Sequence, residues 1–84
     1  MQRNTVTTAG ALQPGDRFYK LNDSTKTPHQ VIHENYKAGH TVFCVSAALA
    51  DRMLEAALTR YAMRINAETE VVFLRNVFNL KEKQ

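Results

Sequence analysis

Short runs of β-branched and aromatic residues, separated by turn signals, constrain the fold of this chain more than any other feature. Such side chains suit a pleated, half-buried surface, so each run is predicted to be a strand. The second and third runs flank a short loop at residues 35–39, which predicts a hairpin in which Ile32 faces Phe43. The predicted strands are residues 17–21, 28–34, 40–46 and 71–74.

The turn before the first predicted strand has a strong local signal. Pro14 fixes its own φ, Gly15 accepts a positive φ, and the Asp16 side chain accepts hydrogen bonds from nearby amides. We therefore expect a tight turn that ends directly at the first strand.

One helix is predicted between the third strand and the end of the chain. Ser46 is a good N-cap, and residues 47–58 consist almost wholly of strong helix formers. Residues 60–65 are ambiguous: they continue the helical pattern, but they also alternate as a strand does. We favour a strand because residues 66–69 read as a turn. The main apolar face of the helix comprises Ala47, Ala50, Leu54, Ala57 and Leu58.

The length of 84 residues predicts one domain, residues 1–78, followed by a polar tail at 79–84. Four to five short antiparallel strands cannot bury both faces of a flat sheet in so short a chain. We therefore predict an α+β fold, a small and strongly curved antiparallel sheet or small barrel, with one helix inserted before the last strands.

Two short motifs resemble a known group of proteins. Residues 11–18 (Ala-Leu-Gln-Pro-Gly-Asp-Arg-Phe) and 68–74 (Glu-Thr-Glu-Val-Val-Phe-Leu) resemble the opening turn and closing strand of small-barrel accessory proteins of phages, plasmids and other mobile elements. The helix at 47–58 departs from the short loop that is usual there. The resemblance implies a Src-homology-3-like (SH3-like) barrel with a non-catalytic role, and it assigns no functional residue.

The single cysteine and the start of the sequence predict a cytoplasmic location. Cys44 lies in an apolar run, whereas secreted domains of this size usually carry several disulfides. No apolar segment typical of a secretion signal follows Met1, and no stretch approaches the ~20 apolar residues that span a bilayer. We therefore expect no membrane partner.

The residue types that carry catalysis or bind metals form no recognisable site. His29, His33, His40 and Cys44 are spaced like zinc ligands, but four residues of strand span ~13 Å, too far for two ligands of one ion. The 8 carboxylates show no paired arrangement, and no phosphate-binding loop or nucleophile elbow is present. We predict a protein that is not an enzyme, with no metal, no cofactor and no small-molecule substrate.

Basic residues on the predicted strands support one binding hypothesis. The formal charge of +3 permits an anionic partner. Tyr19, Tyr36 or Tyr61 would be available to stack on bases. The alternative is that the charges are scattered and serve solubility. The candidate residues for weakly sequence-specific nucleic-acid binding are Arg17, Tyr19, Lys20, Arg60, Arg64 and Arg75.

A second apolar stripe on the helix supports the other hypothesis, which we favour. Leu49, Met53 and Ala56 lie outside the main apolar face, and a helix on a small barrel needs only one buried face. The stripe is therefore predicted to contact a partner protein or a second copy of the chain. The alternative is packing inside the domain, against the segment around Val6 or the tail with Phe78 and Leu80.

Overall fold

A computed structural model describes residues 1–32 and 37–78 of the chain, and all of their side chains except those of residues 37, 38, 55 and 56. The described strands form one antiparallel sheet, in the order β1-β7-β2-β3-β5, with β4 and β6 also pairing with β5. The strands are β1 (Val6–Thr8), β2 (Asp16–Lys20), β3 (His29–Val31), β4 (Lys37–Ala38), β5 (Thr41–Ser46), β6 (Met63–Asn66) and β7 (Glu70–Asn76).

The central strand β5 explains why more strands are present than predicted. β3 and β4 pair with successive parts of the same edge of β5, so they act as one interrupted strand, while β6 pairs with the opposite edge. The predicted pairing of Ile32 with Phe43 is confirmed, because the Ile32 N–H donates to the Phe43 carbonyl at 3.2 Å. The predicted loop at 35–39 is wrong at residues 37 and 38, which form β4 because they pair with Val42 and Thr41. The predicted residues 33 and 34 of this hairpin lie outside the described part of the chain.

β1 is a strand that the sequence pattern does not indicate. It forms because Val6 pairs with Val72 and Thr8 pairs with Glu70 on β7. The chain after β1 then forms a short 3₁₀ helix (Ala9–Ala11), and here the Gly10 N–H donates to the Ala67 carbonyl at 2.8 Å. This bond joins the end of one edge strand, β1, to the end of the other, β6.

The sheet is therefore curled but not closed. Within the described residues, no ladder joins β6 to β1 or to β7. The prediction of a small antiparallel sheet with helical structure before the last strands is confirmed, and strand pairing of the described part stops short of a barrel.

The two faces of the sheet bury separate apolar clusters. Side chains alternate along β5, so Val42 and Cys44 join the inner cluster while Val45 joins the outer one. The inner cluster also contains Leu12, Phe18, Ile65, Val71 and Phe73. The outer cluster consists of Ile32, Val45 and Leu58, packed against Phe43, Leu49, Ala50, Met53 and Ala62.

The predicted helix is broken into two. Helix α1 (Ala47–Arg52) begins as predicted, because the Ser46 hydroxyl accepts a hydrogen bond from the Leu49 N–H at 3.1 Å. Helix α2 (Glu55–Leu58) is separated from it by Met53 and Leu54, whose backbones are extended. No helix of the described chain combines the length and apolar character that a membrane span requires.

The predicted buried face is confirmed for Ala47, Ala50 and Leu58 but is wrong for Leu54, which is 83% exposed because the extended residues 53–54 rotate the chain between the two helices. Leu49 and Met53, expected outside this face, pack against the outer cluster, which agrees with the alternative of packing inside the domain. A second 3₁₀ helix (Thr59–Tyr61) follows α2, so the predicted strand is confirmed but begins at Met63, and Arg60 is not part of it.

Candidate functional site

The side chain of Asp16, in the predicted Pro-Gly-Asp turn, stabilises the fold through hydrogen bonds. The side chain is only 6% exposed, and both of its carboxylate oxygens accept hydrogen bonds. Oδ2 accepts from the Gln13 N–H at 2.7 Å, and Oδ1 accepts from Asn76 Nδ2 at 2.7 Å. Asn76 Nδ2 also donates to the Pro14 carbonyl at 3.0 Å. This cluster fastens the start of β2 to the end of β7, and it leaves no free carboxylate oxygen for chemistry.

Arg17, a candidate for nucleic-acid binding, is also engaged within the domain. Its Nε donates to Gln30 Oε1 at 2.9 Å, and its guanidinium pairs with the carboxylate of Asp51 on α1. The hydrogen bond from Arg17 is the main cause that lowers the pKa of Asp51. The Arg17 side chain is 13% exposed, so its principal role is to hold α1 against the sheet.

The other basic candidates do not gather on one surface. Arg75 lies opposite Arg17 on β7, so these two are neighbours on one face, whereas Lys20 lies on the inner face with Phe18 by strand alternation. Arg64 lies over the Phe43 ring, with 6.0 Å between its Cζ and the ring centroid. β6, which carries Arg64, and β2, which carries Arg17, are three strand spacings apart in the sheet, a distance of ~14 Å.

The candidate stacking residues are likewise dispersed. Lys26 Nζ lies 6.0 Å from the centroid of the Tyr19 ring, on the turn after β2. Tyr61 is 53% exposed and lies in the second 3₁₀ helix. Tyr36 lies outside the described residues. No basic surface with interleaved aromatic rings is therefore assembled from the described candidates.

A groove that the sequence analysis missed lies between the first residues of the chain and the end of β7. Its volume is about 770 Å³, and its lining includes Arg3, Gln13, Phe73, Leu74 and Arg75. A bulge shapes this end of β7: Phe73 is opposite Phe18 and Arg75 is opposite Arg17, so Leu74 has no opposite residue on β2. Arg3 and Arg75 are 72 positions apart in sequence, so no local pattern predicts that they share a groove.

A second surface is formed by the helical excursion, which we define as residues 47–62 between β5 and β6. Leu54 and Tyr61 are 83% and 53% exposed. Met63, which is 41% exposed, lies opposite Cys44 and so points to the inner face of the sheet instead. Leu49 and Met53, the predicted interface residues, are partly buried against the outer cluster. The side chain of Ala56, the third predicted interface residue, lies outside the described part of the structure.

His29 and Cys44 are the buried reactive groups on the inner side. The His29 ring stacks on Phe18 with 5.7 Å between centroids, and its Nδ1 has no hydrogen-bond partner among the described residues. Burial, with a smaller effect from Lys20, lowers the pKa of His29. Burial raises the pKa of the Cys44 thiol to about 11, which makes it a poor nucleophile.

The described residues contain no group of three or more His, Cys, Asp or Glu side chains that could hold a metal ion. Of the four residues with zinc-like spacing, His33 lies outside the described part. The strand register places Ser46, rather than Cys44, opposite His29.

Comparison with known proteins gives no further assignment. No protein-family model matches the chain, and neither the curated proteins nor the solved structures contain a significant match.

Proposed function

We propose that this protein is a non-catalytic interaction module that self-associates through the helical excursion. The observation that carries the proposal is the exposure of Leu54. It is 83% exposed at the break between α1 and α2, while Leu58, four residues later, is buried at 2%.

Exposed apolar side chains are common singly, and several of those described here lie outside the helical excursion: Met1, Val6, Leu21 and Phe78. Leu54 and Tyr61 belong to the excursion, and burial of a side chain of this size stabilises a contact by about 1.5 to 3 kcal/mol. Leu54 has the largest exposed fraction of these side chains, which favours a surface that a partner covers.

The arrangement of the ionisable groups supports a non-catalytic role. A catalytic site brings groups with shifted pKa values together in one cleft. Here Asp51 lies at the surface in an ion pair with Arg17, Asp23 lies in an exposed turn, and His29 and Cys44 are buried on the inner side of the sheet. None of these groups lines either groove of the described structure. An SH3-like barrel relationship, a mobile-element origin and a cytoplasmic location are parts of the same proposal.

The test is the molar mass of the protein in solution as a function of concentration. We expect the mass to rise with concentration, and we expect Leu54→Glu to raise the dissociation constant by about 10- to 100-fold, since it removes one buried leucine from the contact. Leu21→Glu is the matched control, because Leu21 is 44% exposed in the turn after β2, away from the excursion. A monomer at every concentration, or equal effects of the two variants, would overturn the proposal.

The second candidate function is weakly sequence-specific nucleic-acid binding. It is supported by Arg75, which is exposed on β7 and shares the groove with Arg3. Titration of labelled single- and double-stranded oligonucleotides at low and moderate salt tests it. Binding that weakens steeply with salt would support phosphate contacts, and salt-insensitive binding would rule them out.

A further inference from the structure

The groove beside β7 borders a strand edge that no strand of the described residues pairs with. β1 pairs with β7 at residues 70–72, and the Phe73 N–H and carbonyl bond to Thr5 and Asn4. Within the described residues, no strand continues beside Leu74 to Asn76 on that side, although β7 itself extends to Asn76.

A turn at the start of the chain leaves this edge open. Asn4 has φ +69°, a left-handed conformation, and the Gln2 carbonyl accepts hydrogen bonds from both the N–H and the hydroxyl of Thr5. The turn diverts residues 1–3 from the path that would extend β1 along β7. They line the far wall of the groove instead.

The charge of the groove is positive. Among the described residues, neither Arg3 nor Arg75 forms an ion pair, although Arg75 contributes to lowering the pKa of Asp51, which is already paired with Arg17. Asp16 is the acidic residue in the lining, and its two oxygens are already occupied by Gln13 and Asn76. The volume of about 770 Å³ is within the range of ligand clefts.

We propose that this groove binds an extended acidic peptide segment of a partner protein, which adds as a strand to the edge of β7 at residues 74–76 and places carboxylates against Arg3 and Arg75. Strand addition supplies main-chain hydrogen bonds, and alternate side chains of the peptide then face the two arginines. The site and the partner differ from those of the self-association proposed above.

The lining favours a peptide over a nucleic acid. An unpaired strand edge offers hydrogen bonds that a peptide backbone satisfies. Bases need exposed aromatic rings for stacking, and the aromatic residue in this lining, Phe73, is only 6% exposed.

The test is fluorescence anisotropy with a labelled peptide of alternating Glu and Thr, at low salt. We expect saturable binding that is weakened about two- to fivefold by Arg3→Gln and by Arg75→Gln, as for exposed ion pairs, and more by the double variant. Arg60→Gln is the matched control, because Arg60 is exposed on the second 3₁₀ helix. Thermal unfolding of each variant verifies that its fold is retained.

A second arm separates strand addition from simple charge attraction. The same peptide with alternate N-methylated amides keeps its charges but lacks donors for a ladder, so we expect its binding to be lost. Equal binding of the N-methylated peptide, absence of binding by the acidic peptide, or equal effects of Arg60→Gln and Arg75→Gln would each overturn the proposal. Binding of oligothymidylate in place of the peptide would overturn it in favour of nucleic acid. Self-association, measured separately by molar mass, is not expected to change in any arm.

Discussion

Replacement of Asp16 by Ala tests whether its carboxylate stabilises the fold by joining the start of β2 to the end of β7. Asp16 begins β2, and Asn76 ends β7, 60 residues later. The Asp16 carboxylate accepts from the Gln13 N–H and from Asn76 Nδ2, each at 2.7 Å. The substitution leaves the Gln13 N–H without this partner, while Asn76 retains its bond to the Pro14 carbonyl.

The expected loss follows from these two bonds. Hydrogen bonds to a charged group contribute about 1.5 kcal/mol each at the lower end of their range, so Asp16→Ala is expected to cost about 3 kcal/mol. A domain of this length has a total unfolding free energy of about 4 to 13 kcal/mol. The variant should therefore still fold, with a clearly lower urea midpoint.

The assay is urea denaturation of Asp16→Ala, Asn76→Ala and the double variant. Because the two side chains share a bond, we expect a coupling free energy of about 1 to 2 kcal/mol. Asp23→Ala is the control: its carboxylate accepts from the Thr25 and Thr27 N–H groups, but in an exposed turn, so we expect a smaller loss than for Asp16→Ala. Equal losses for Asp16→Ala and Asp23→Ala, or a coupling below about 0.5 kcal/mol, would refute the reasoning.

Three further predictions concern buried groups and the turn. Burial lowers the pKa of His29, so the unfolded chain binds the proton more tightly than the native protein. The contribution of His29 to the unfolding free energy should therefore be present above about pH 6.5 and decline below it, and His29→Phe should remove that part of the decline. Because the pKa of Cys44 is raised to about 11, its reaction with a disulfide reagent at neutral pH should be at least about 100-fold slower in the native protein than in denaturant. Gly15→Ala should lower the unfolding free energy measured in urea by roughly 1 to 3 kcal/mol, since φ is +89° and a Cβ would lie 2.6 Å from the Phe78 ring. Gly39→Ala is the control, because a Cβ there meets backbone strain but no close atom among the described residues. An equal loss for the two variants would refute the contribution of the clash with Phe78.

Local signals determine several elements of this fold. The turn at Gly15, the cap at Ser46 and the pairing of Ile32 with Phe43 are all confirmed, because each depends on backbone preferences or short loops within a few residues. The strand predicted at 60–65 is confirmed for residues 63–65 for a similar reason, since the predicted turn follows directly, although Asn66 belongs to the strand and not to the turn.

The residues that form the candidate surfaces were harder to predict from the sequence. Arg75 was identified as a basic candidate, but Arg3 was not, because nothing near it in sequence indicates the groove. Helical spacing predicts that Leu54 lies in the core only if the helix is unbroken, and the helix breaks at Met53 and Leu54. Arg17 was assigned to a binding surface because its partner Asp51 is 34 residues away.

The sequence by itself determined the alternation of short strands, the tight turn at 14–16 and the start of the helix, since these follow from local conformational preference. Only the tertiary structure decided that Val6–Thr8 is a strand, that the helix breaks at Met53 and Leu54, and which apolar residues are left exposed. The physical reason is the range of the interactions. β1 exists because β7 pairs with it from more than 60 residues away, and the packing of Leu49, Met53 and Leu58 on one outer cluster depends on the whole curled sheet.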